Sequence, residues 1–319
     1  MTPPQPATIS IVACFYNEEL VVNGFFAELI PILDFQPDIR FEIVCVDDGS
    51  QDRTLEQLLG HCQTDQRIRV IELTRNFGKE AALTAGIDAA IGDALIPIDA
   101  DLQDPPQLIP ALIEQWRLGA EVVLARRRDR ISDGFLKRHT AALFYRLHNA
   151  LSPIHLPEDV GDYRLIDRVV IEALKQFPER QRFMKGLFAW VGFKTSVVDF
   201  SRQSRFAGNS KFSGWKLWNF ALEGVTSFTS LPLRIWTYVG LTGALLSLCY
   251  VVFIVSRTLM LGIDVPGYAS LLVVILFMGS MQLLSIGLLG EYIGRIYTES
   301  KRRPIYLVRR RYGQDTQAL

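Results

Sequence analysis

Residues 8 to 200 alternate between short β-branched runs and longer segments whose apolar residues recur every three or four positions. Short strands that alternate with amphipathic helices are typical of a parallel sheet covered by helices. The pattern therefore predicts an α/β domain with a mostly parallel sheet. The predicted strands are Thr8–Ala13, Phe41–Val46, Ile68–Leu73, Ala94–Ile98, Glu121–Leu124, Tyr163–Ile166 and Thr195–Phe200. The predicted helices are Glu19–Leu33, Thr54–His61, Lys79–Ala90, Pro105–Leu118, Phe135–Leu151 and Arg168–Gln176.

Two long uncharged runs follow in the C-terminal third. Ile235–Ser256 and Val265–Gly290 contain no Asp, Glu, Lys or Arg, and each exceeds the roughly 20 residues that cross a bilayer as a helix. Basic residues flank the outer ends of both runs, so the positive-inside rule predicts two transmembrane helices with both termini in the cytoplasm. The N-terminal sequence lacks the features of a signal peptide, so the first domain is expected on the same side. Two buried helices of a soluble domain are the alternative.

The segment between these two parts carries an apolar stripe at helical spacing, formed by Trp215, Trp218, Leu222, Val225 and Phe228. A stripe with tryptophan favours an amphipathic helix in the headgroup layer of a membrane. Packing against the soluble domain is the alternative. The predicted organisation is a sheet domain at 1–200, a loop and interfacial helix at 201–233, two transmembrane helices at 234–292 and a basic cytoplasmic tail at 293–319.

Overall composition excludes little and points to no nucleic-acid partner. Lys plus Arg and Asp plus Glu both number 34, so the formal net charge is zero. A zero net charge gives no argument for a polyanionic partner. The four cysteines form no CxxC pair and the four histidines are dispersed, so neither disulfides nor a zinc site is predicted.

Polar motifs follow three of the predicted strands. FYNEE comes after the first strand, VDDGS after the second and DADLQD after the fourth. The carboxyl ends of parallel strands meet at one edge of a sheet, where open α/β folds bind their ligands. Part of this polarity has a simple explanation, because Asn17 can cap a helix and Asp48 with Gly49 can form a turn.

Three further carboxylates, at Asp47, Asp99 and Asp101, exceed what turns and caps require. Carboxylates brought to one edge repel one another and raise their pKa values unless a cation lies among them. Together with the side-chain carbonyl of Gln103 they offer the hard oxygen ligands that suit Mg²⁺ or Mn²⁺. A divalent ion half coordinated by protein usually completes its shell with phosphate oxygens. The pattern therefore predicts a metal–diphosphate site.

In this order, YNEE, VDDGS and DADLQDPP resemble the family 2 glycosyltransferases of GT-A fold, in particular the polyprenyl-phosphate glycosyltransferases, the group of dolichol-phosphate mannose synthase and bactoprenol glucosyltransferase. RNFGKEAAL, GDYRLIDR, RFMKGLFAWVGF and RFAGNSKF match as well, so the resemblance covers essentially the whole chain. Cys14 departs from it, because the family pattern has proline there. The resemblance implies transfer of one sugar from a nucleotide-diphosphate donor to the phosphate of a membrane polyprenol, with inversion at the anomeric carbon.

The resemblance also implies roles for individual residues. The implied contacts to the nucleotide sugar are Tyr16, Asn17, Glu18, Asp47, Asp48, Arg75, Lys79 and Asp99. Of these, Arg75 and Lys79 are the implied contacts to the donor phosphates. The implied metal and diphosphate group is Asp99, Asp101 and Gln103. The implied catalytic residues are Asp162, Arg205 and Lys211, and the implied grip on the acceptor phosphate comes from Arg205, Ser210 and Lys211.

Three points remain open from the residues themselves. Arg126 and Arg127 begin at the carboxyl end of a predicted strand, which makes them candidates for phosphate contact. Asp162 resembles a catalytic base, but it could instead pair with Arg164 or Arg168. A phosphate monoester is already largely dianionic at neutral pH, so Asp162 is expected to orient the acceptor more than to remove its proton.

Pocket shape selects the sugar, so the sequence orders the donors without deciding among them. UDP-glucose is the first expectation, followed by GDP-mannose or a modified UDP-sugar, and a homo-oligomer stays open. A processive polysaccharide synthase usually carries a QxxRW motif and more spans, and neither is present. A non-enzymatic sugar-nucleotide-binding scaffold would lack a metal ligand, and a lipid flippase would need more helices.

Overall fold

A computed structural model describes residues 6–127, 160–177, 179, 184–200, 231–261 and 267–313, without some side chains in these ranges, many of them in the C-terminal helices. Several sequence predictions lie outside the described residues. These are the helix at Phe135–Leu151, most of the interfacial segment at 213–234, and the acceptor residues Arg205, Ser210 and Lys211.

The described strands form one sheet that carries the fold. They are β1 (Thr8–Phe15), β2 (Arg40–Asp47), β3 (Ile68–Leu73), β4 (Ala94–Asp99), β5 (Val122–Arg127), β6 (Val160–Asp167), β7 (Thr195–Phe200) and β8 (Val308–Tyr312). Their order across the sheet is β7-β5-β6-β4-β1-β2-β3-β8. Strand β1 pairs in parallel with β2 and β4, β2 with β3, and β5 with β7, whereas β6 and β8 run antiparallel to their neighbours. The predicted α/β fold with a mostly parallel sheet is confirmed.

Helices cover both faces of this sheet. These are α1 (Val22–Asp34), α2 (Thr54–Thr64), α3 (Lys79–Ala89), α4 (Ile109–Arg117), α5 (Arg168–Lys175) and α6 (Met184–Trp190). Two long helices, α7 (Leu231–Leu261) and α8 (Tyr268–Ser300), follow them in the chain. Alternate residues of each strand point to opposite faces. Ile11 of β1 accordingly packs in a core cluster with α1, and its neighbour Val12 packs in a second cluster with α3 and α5.

Helix α3 packs closely against β1 at Gly86, a residue without a side chain. A Cβ on Gly86 would overlap Val12 Cγ1. Ala82 and Ala85 on the same helix are also buried, so small residues let the helix approach the sheet closely. This packing sets the position of Lys79, the first residue of α3.

The C-terminal tail differs from its prediction. The sequence indicated only a basic segment at 293–319, but Val308–Tyr312 forms β8 and pairs antiparallel with β3. Thr74 N donates a further backbone hydrogen bond to Leu307 O, with 3.0 Å between N and O. The VRRRY sequence did not indicate a strand because edge strands tolerate exposed charged side chains that hide the alternating pattern.

The two C-terminal helices, α7 and α8, are 31 and 33 residues long and include most of the two uncharged runs. In the described part of the chain, no helix combines the length and the apolar character that a bilayer crossing requires. The two predicted spans are therefore not confirmed by the structure.

Candidate active site

The carboxyl ends of β1, β2 and β4 lie side by side, as predicted. Phe15 on β1 pairs with Asp47 on β2, and Cys14 pairs with Asp99 on β4. The Cα atoms of Asp47 and Asp99 are therefore two strand spacings apart, roughly 10 Å. Asp47 and Asp99 thus lie at one edge of the sheet, with β1 between them.

Lys79 supplies the positive charge beside the carboxylates of β4 and β6. Its Nζ lies 2.7 Å from Asp99 Oδ1 and 2.9 Å from Asp162 Oδ2. Burial lowers the pKa of Lys79, but the two carboxylates outweigh burial and hold that pKa well above the ordinary lysine value. Lys79 was predicted to contact the donor phosphates, and its pairing with Asp162 was not predicted. Arg168, one of the partners considered for Asp162, instead contacts Glu172 and the carbonyl of Ala90.

The loop after β4 holds Asp99 and Asp101 on one tight turn. Leu102 N donates to Asp99 O at 3.2 Å, and Gln103 N donates to Asp101 Oδ1 at 3.2 Å. Leu102 has a φ of 52° and a buried side chain. A non-glycine residue in this region costs about 1 kcal/mol or more and is often found at functional sites. Among the described residues, no three His, Cys, Asp or Glu side chains form a group that could hold a metal ion.

Asp48 fastens the loop that carries Lys79. Its buried carboxylate accepts hydrogen bonds from Phe77 N at 2.7 Å and from Gly78 N at 2.9 Å. Burial raises the pKa of Asp48, and these two hydrogen bonds act in the opposite direction. Next to it, a Cβ on Gly49 would lie 2.5 Å from the carbonyl carbon of Arg75, so only glycine allows the two loops to touch. The nucleotide contact predicted for Asp48 stays a prediction.

Asp47 has a different environment, with a side chain that is only partly satisfied. The residue is 1% exposed, and its Oδ2 accepts from Ser50 N at 3.2 Å. Its buried Oδ1 has no hydrogen-bond partner among the described residues. Burial raises the pKa of Asp47, the hydrogen bonds from Ser50 lower it, and the charge of Glu72 raises it further. A buried carboxylate oxygen without a partner costs stability, and such groups concentrate at ligand sites.

The YNEE motif joins the loop after β1 to the loop after β2. Asn17 has a φ of 52° and accepts a hydrogen bond at Oδ1 from Gln51 N at 2.8 Å. Glu18 N donates to Thr54 Oγ1 at 2.8 Å. Tyr16 is exposed at the same edge. These contacts hold the loops that frame the site, and the predicted donor contacts of the three residues stay predictions.

The predicted phosphate-binding arginines lie at two separate strand ends. Arg75, after β3, stacks over the Phe77 ring at 4.0 Å. Arg126 pairs with Asp199 across β5 and β7, with 2.7 Å between Nε and Oδ1, a partner that the sequence did not indicate. Arg127 ends β5, and its side chain lies outside the described residues.

Two neighbours of the site, Arg164 and Cys14, were named from the sequence without a role in donor or acceptor binding. Arg164 is buried beneath Phe188, and burial lowers the pKa of its guanidinium to about 10, although the charges of Asp162 and Glu80 oppose this shift. Cys14 of β1 lies opposite Asp99 of β4, and burial raises the pKa of its thiol. The sequence indicates that Arg164 lies near Asp162, because both are on β6 and residues two apart on a strand share a face.

Comparison with known proteins places these features in one family. The profile described as Glycosyl transferase family 2 matches residues 10–175, and the profile described as GtrB C-terminal hairpin matches residues 231–296. An uncharacterized glycosyltransferase of Synechocystis is 52% identical over 96% of this chain and 96% of its own length. The bactoprenol glucosyl transferase of Shigella phage SfV is 52% identical over 94% of this chain and 98% of its own length.

Among solved structures, mannosyl-3-phosphoglycerate synthase from Rubrobacter xylanophilus is similar with a TM-score of 0.48 and 21% identity. The similarity covers 73% of this chain and 75% of that chain.

Proposed function

This chain belongs to glycosyl transferase family 2, and we propose that it transfers one glucose from UDP-glucose to the phosphate of a membrane polyprenol, with inversion at the anomeric carbon. The observation that carries the proposal is the 52% identity to a phage bactoprenol glucosyl transferase over 94% of this chain. The match extends over both the sheet domain and the C-terminal helices. Transfer of mannose or of a modified UDP-sugar would follow the same chemistry.

The donor is proposed to lie along the carboxyl ends of β1 to β4. Asp47 and Arg75 contact the nucleotide at one end, and Lys79 and Asp99 contact the diphosphate at the other. The unsatisfied Oδ1 of Asp47 supports the first assignment, because a base or ribose donor would satisfy it. Tyr16, Asn17, Glu18 and Asp48 frame the same cleft.

A divalent cation, Mg²⁺ or Mn²⁺, is proposed at Asp99 and Asp101 with the side chain of Gln103. The donor set fits, because one tight turn presents two hard carboxylates. When bound, the ion neutralises the negative charge of the departing diphosphate. Two carboxylates form only half of a coordination shell, and phosphate oxygens complete such sites.

The reaction needs little proton transfer. An oxygen of the polyprenyl phosphate forms a bond to the anomeric carbon while the bond from that carbon to the diphosphate oxygen breaks, and UDP leaves with the bonding pair. A phosphate monoester has a second pKa near 6, so its oxygen is already anionic at neutral pH. Asp162, held by Lys79 and next to buried Arg164, is therefore proposed to orient the acceptor side of the site.

The acceptor phosphate is proposed to contact basic residues on the β5 side of the cleft. Arg126 is described there in a half-exposed ion pair with Asp199, which an incoming phosphate can replace as a partner. Arg127 and, beyond the described residues, Arg205, Ser210 and Lys211 complete the proposed contacts.

Membrane attachment is proposed through α7 and α8 as a two-span hairpin, with the sheet domain and both termini in the cytoplasm. Two observations support it. The GtrB C-terminal hairpin profile matches residues 231–296, and the sequence runs within these helices are uncharged. Strand β8 follows α8 and pairs with β3, which requires the tail and the sheet domain to be on the same side of any membrane.

The test is a transfer assay on membranes that contain the full chain. Radiolabelled UDP-glucose and polyprenyl phosphate should give label in the lipid phase, excess chelator should abolish it, and Mg²⁺ or Mn²⁺ should restore it. Asp101→Asn should lose turnover while remaining folded. Label from GDP-mannose alone would overturn the choice of sugar, and no lipid label from any nucleotide sugar would overturn the proposed function.

A further inference from the structure

The tail strand β8 encloses a buried acidic residue of β3. Glu72 is 8% exposed in a strand that is otherwise largely apolar. Arg309 Nη1 lies 3.2 Å from Glu72 Oε1, and Tyr312 OH donates to Glu72 Oε2 at 2.9 Å. Each carboxylate oxygen of Glu72 therefore has a partner on the tail. Removing the partner of a buried carboxylate leaves an uncompensated charge in the protein interior and destabilises the fold.

Glu72 is also the neighbour of a proposed donor contact. In the parallel pairing of β2 and β3, Glu72 lies opposite Asp47, and its charge acts on the Asp47 carboxyl. Arg309 balances this charge. It thereby reduces the repulsion that Asp47 would otherwise experience from across the strand.

Arg309 has a second contact close to the site. Its Nη2 donates to Thr74 O at 3.4 Å, and Thr74 N donates to Leu307 O. Thr74 directly precedes Arg75, so the tail holds the backbone from which this arginine extends. One side chain thus connects the tail to both residues at the nucleotide end.

The tail is fastened to α3 as well. Tyr306 OH donates to Asp88 Oδ2 at 2.8 Å, and α3 begins with Lys79. Tyr306 and Val308 pack against the apolar cluster that includes Ala85 of this helix. The segment 306–312 therefore contacts β3, which precedes Arg75, and α3, which begins with Lys79.

We propose that Arg309 is a positioning residue for the nucleotide end of the donor site, acting through Glu72 on Asp47 and through Thr74 on Arg75. The inference rests on the proposed donor site. Protection of the β3 edge alone would need only backbone pairing and exposed charge. It would not require two specific partners for one buried carboxylate.

The experiment measures UDP binding to the full chain in detergent by calorimetry, with thermal unfolding in parallel. Arg309→Ala should weaken UDP binding about tenfold, the size expected for loss of one charged partner in a coupled network. Arg309→Lys keeps the positive charge and should retain most of the wild-type affinity for UDP. Arg311→Ala removes a charge from an exposed position of the same strand, opposite Ile71, and should bind UDP like the wild type.

A double variant separates positioning from folding. In Glu72→Gln/Arg309→Ala the buried charge that needs Arg309 is absent, so UDP affinity should return to within about threefold of the wild type. Tyr312→Phe keeps the ring but loses its hydrogen bond to Glu72, and should weaken UDP binding by about threefold. In the transfer assay, Arg309→Ala should raise KM for the donor and leave kcat nearly unchanged.

The outcomes distinguish this inference from the proposed function. A lower Tm of Arg309→Ala with unchanged UDP affinity would show a purely structural role and overturn the inference. A double variant as weak as Arg309→Ala would overturn the route through Glu72. A wild-type chain that binds no UDP and no UDP-glucose would instead overturn the proposed donor.

Discussion

At the scale of single residues, the carboxylates at the sheet edge differ in whether a cation balances their charge. Lys79 lies between Asp99 and Asp162, so both carboxylates have a cationic partner. Asp47 has none among the described residues and carries a buried, unsatisfied oxygen. The two environments lead to different expectations for substitution.

Lys79→Met should reduce kcat/KM for transfer about 100-fold, the usual cost of removing one preorganised charge from an active site. The reason is that Asp99 and Asp162 would face each other without the ammonium group. Steady-state transfer to polyprenyl phosphate measures the effect. Lys79→Arg should retain intermediate activity, and Lys175→Met, which removes a lysine from an ion pair with Glu172 on α5, should match the wild type. Undiminished transfer by Lys79→Met would contradict the role of the charge.

Asp47→Asn should stabilise the fold at neutral pH while weakening donor binding. The pKa of Asp47 is raised in the folded state, so the folded protein holds this proton more tightly than the unfolded chain. Stability conferred by the carboxyl therefore falls as pH rises above the unfolded value of 3.8, and remains lower at pH 7. The Tm advantage of Asp47→Asn should appear at pH 7 and disappear below that value. UDP affinity should fall about tenfold.

Asp65→Asn serves as the control, because the pKa of Asp65 is shifted in the direction opposite to that of Asp47. Hydrogen bonds from Arg67 lower the pKa of Asp65, so its carboxylate stabilises the fold above the unfolded pKa, and that stability is lost as pH falls through the folded pKa. Asp65→Asn should lower Tm at pH 7 without changing UDP affinity. Equal Tm shifts for both variants would contradict the environments described for the two carboxyls.

At the scale of secondary-structure elements, the site depends on how closely α3 approaches β1. Gly86 makes this contact possible, because a Cβ there would overlap Val12. The same helix presents Lys79 at its first turn. A shift of α3 away from the sheet would therefore move the ammonium group relative to Asp99 and Asp162.

Gly86→Ala should lower the free energy of unfolding by about 1–3 kcal/mol, the usual cost of overpacking a core, and should reduce transfer as Lys79 moves. Denaturant unfolding and the transfer assay measure the two effects. Val12→Ala/Gly86→Ala removes the overlapping methyl groups and should recover much of both. Failure of the double variant to recover either property would show that the contact does not set the helix position.

At the scale of the whole molecule, the C-terminal tail pairs with the N-terminal sheet domain. Strand β8 follows the long helices α7 and α8 and completes the edge of the sheet beside β3. The sheet domain and the tail therefore lie on the same side of any membrane that α7 and α8 enter. An even number of crossings satisfies this geometry, and an odd number does not.

Reporter fusions test this topology. A reporter after Leu319 should be cytoplasmic, and one inserted at Asp264, between α7 and α8, should be on the opposite side. A reporter before Thr8 should match the one after Leu319 and serves as the internal control. Matching signals from Asp264 and Leu319 would refute the two-span hairpin and leave the helices on one side.

The sequence by itself determined the mostly parallel sheet, the strands β1 to β7 to within a few residues, and the grouping of YNEE, VDDGS and DADLQD at one sheet edge. These features are local. Periodicity shows which face of each element is buried, and the carboxyl ends of parallel strands must meet at one edge. The family resemblance followed from the same motifs, and the comparisons confirmed it.

Only the tertiary structure decided which charged side chains face one another. Lys79 pairs with Asp162, 83 residues away, and Glu72 pairs with Arg309, 237 residues away. Neither pair has a sequence signal, because an ion pair between distant residues depends on where packing places two elements and not on local periodicity. The strand character of β8 had the same origin, since an exposed basic segment becomes a strand only where an unpaired edge, here β3, provides hydrogen-bond partners.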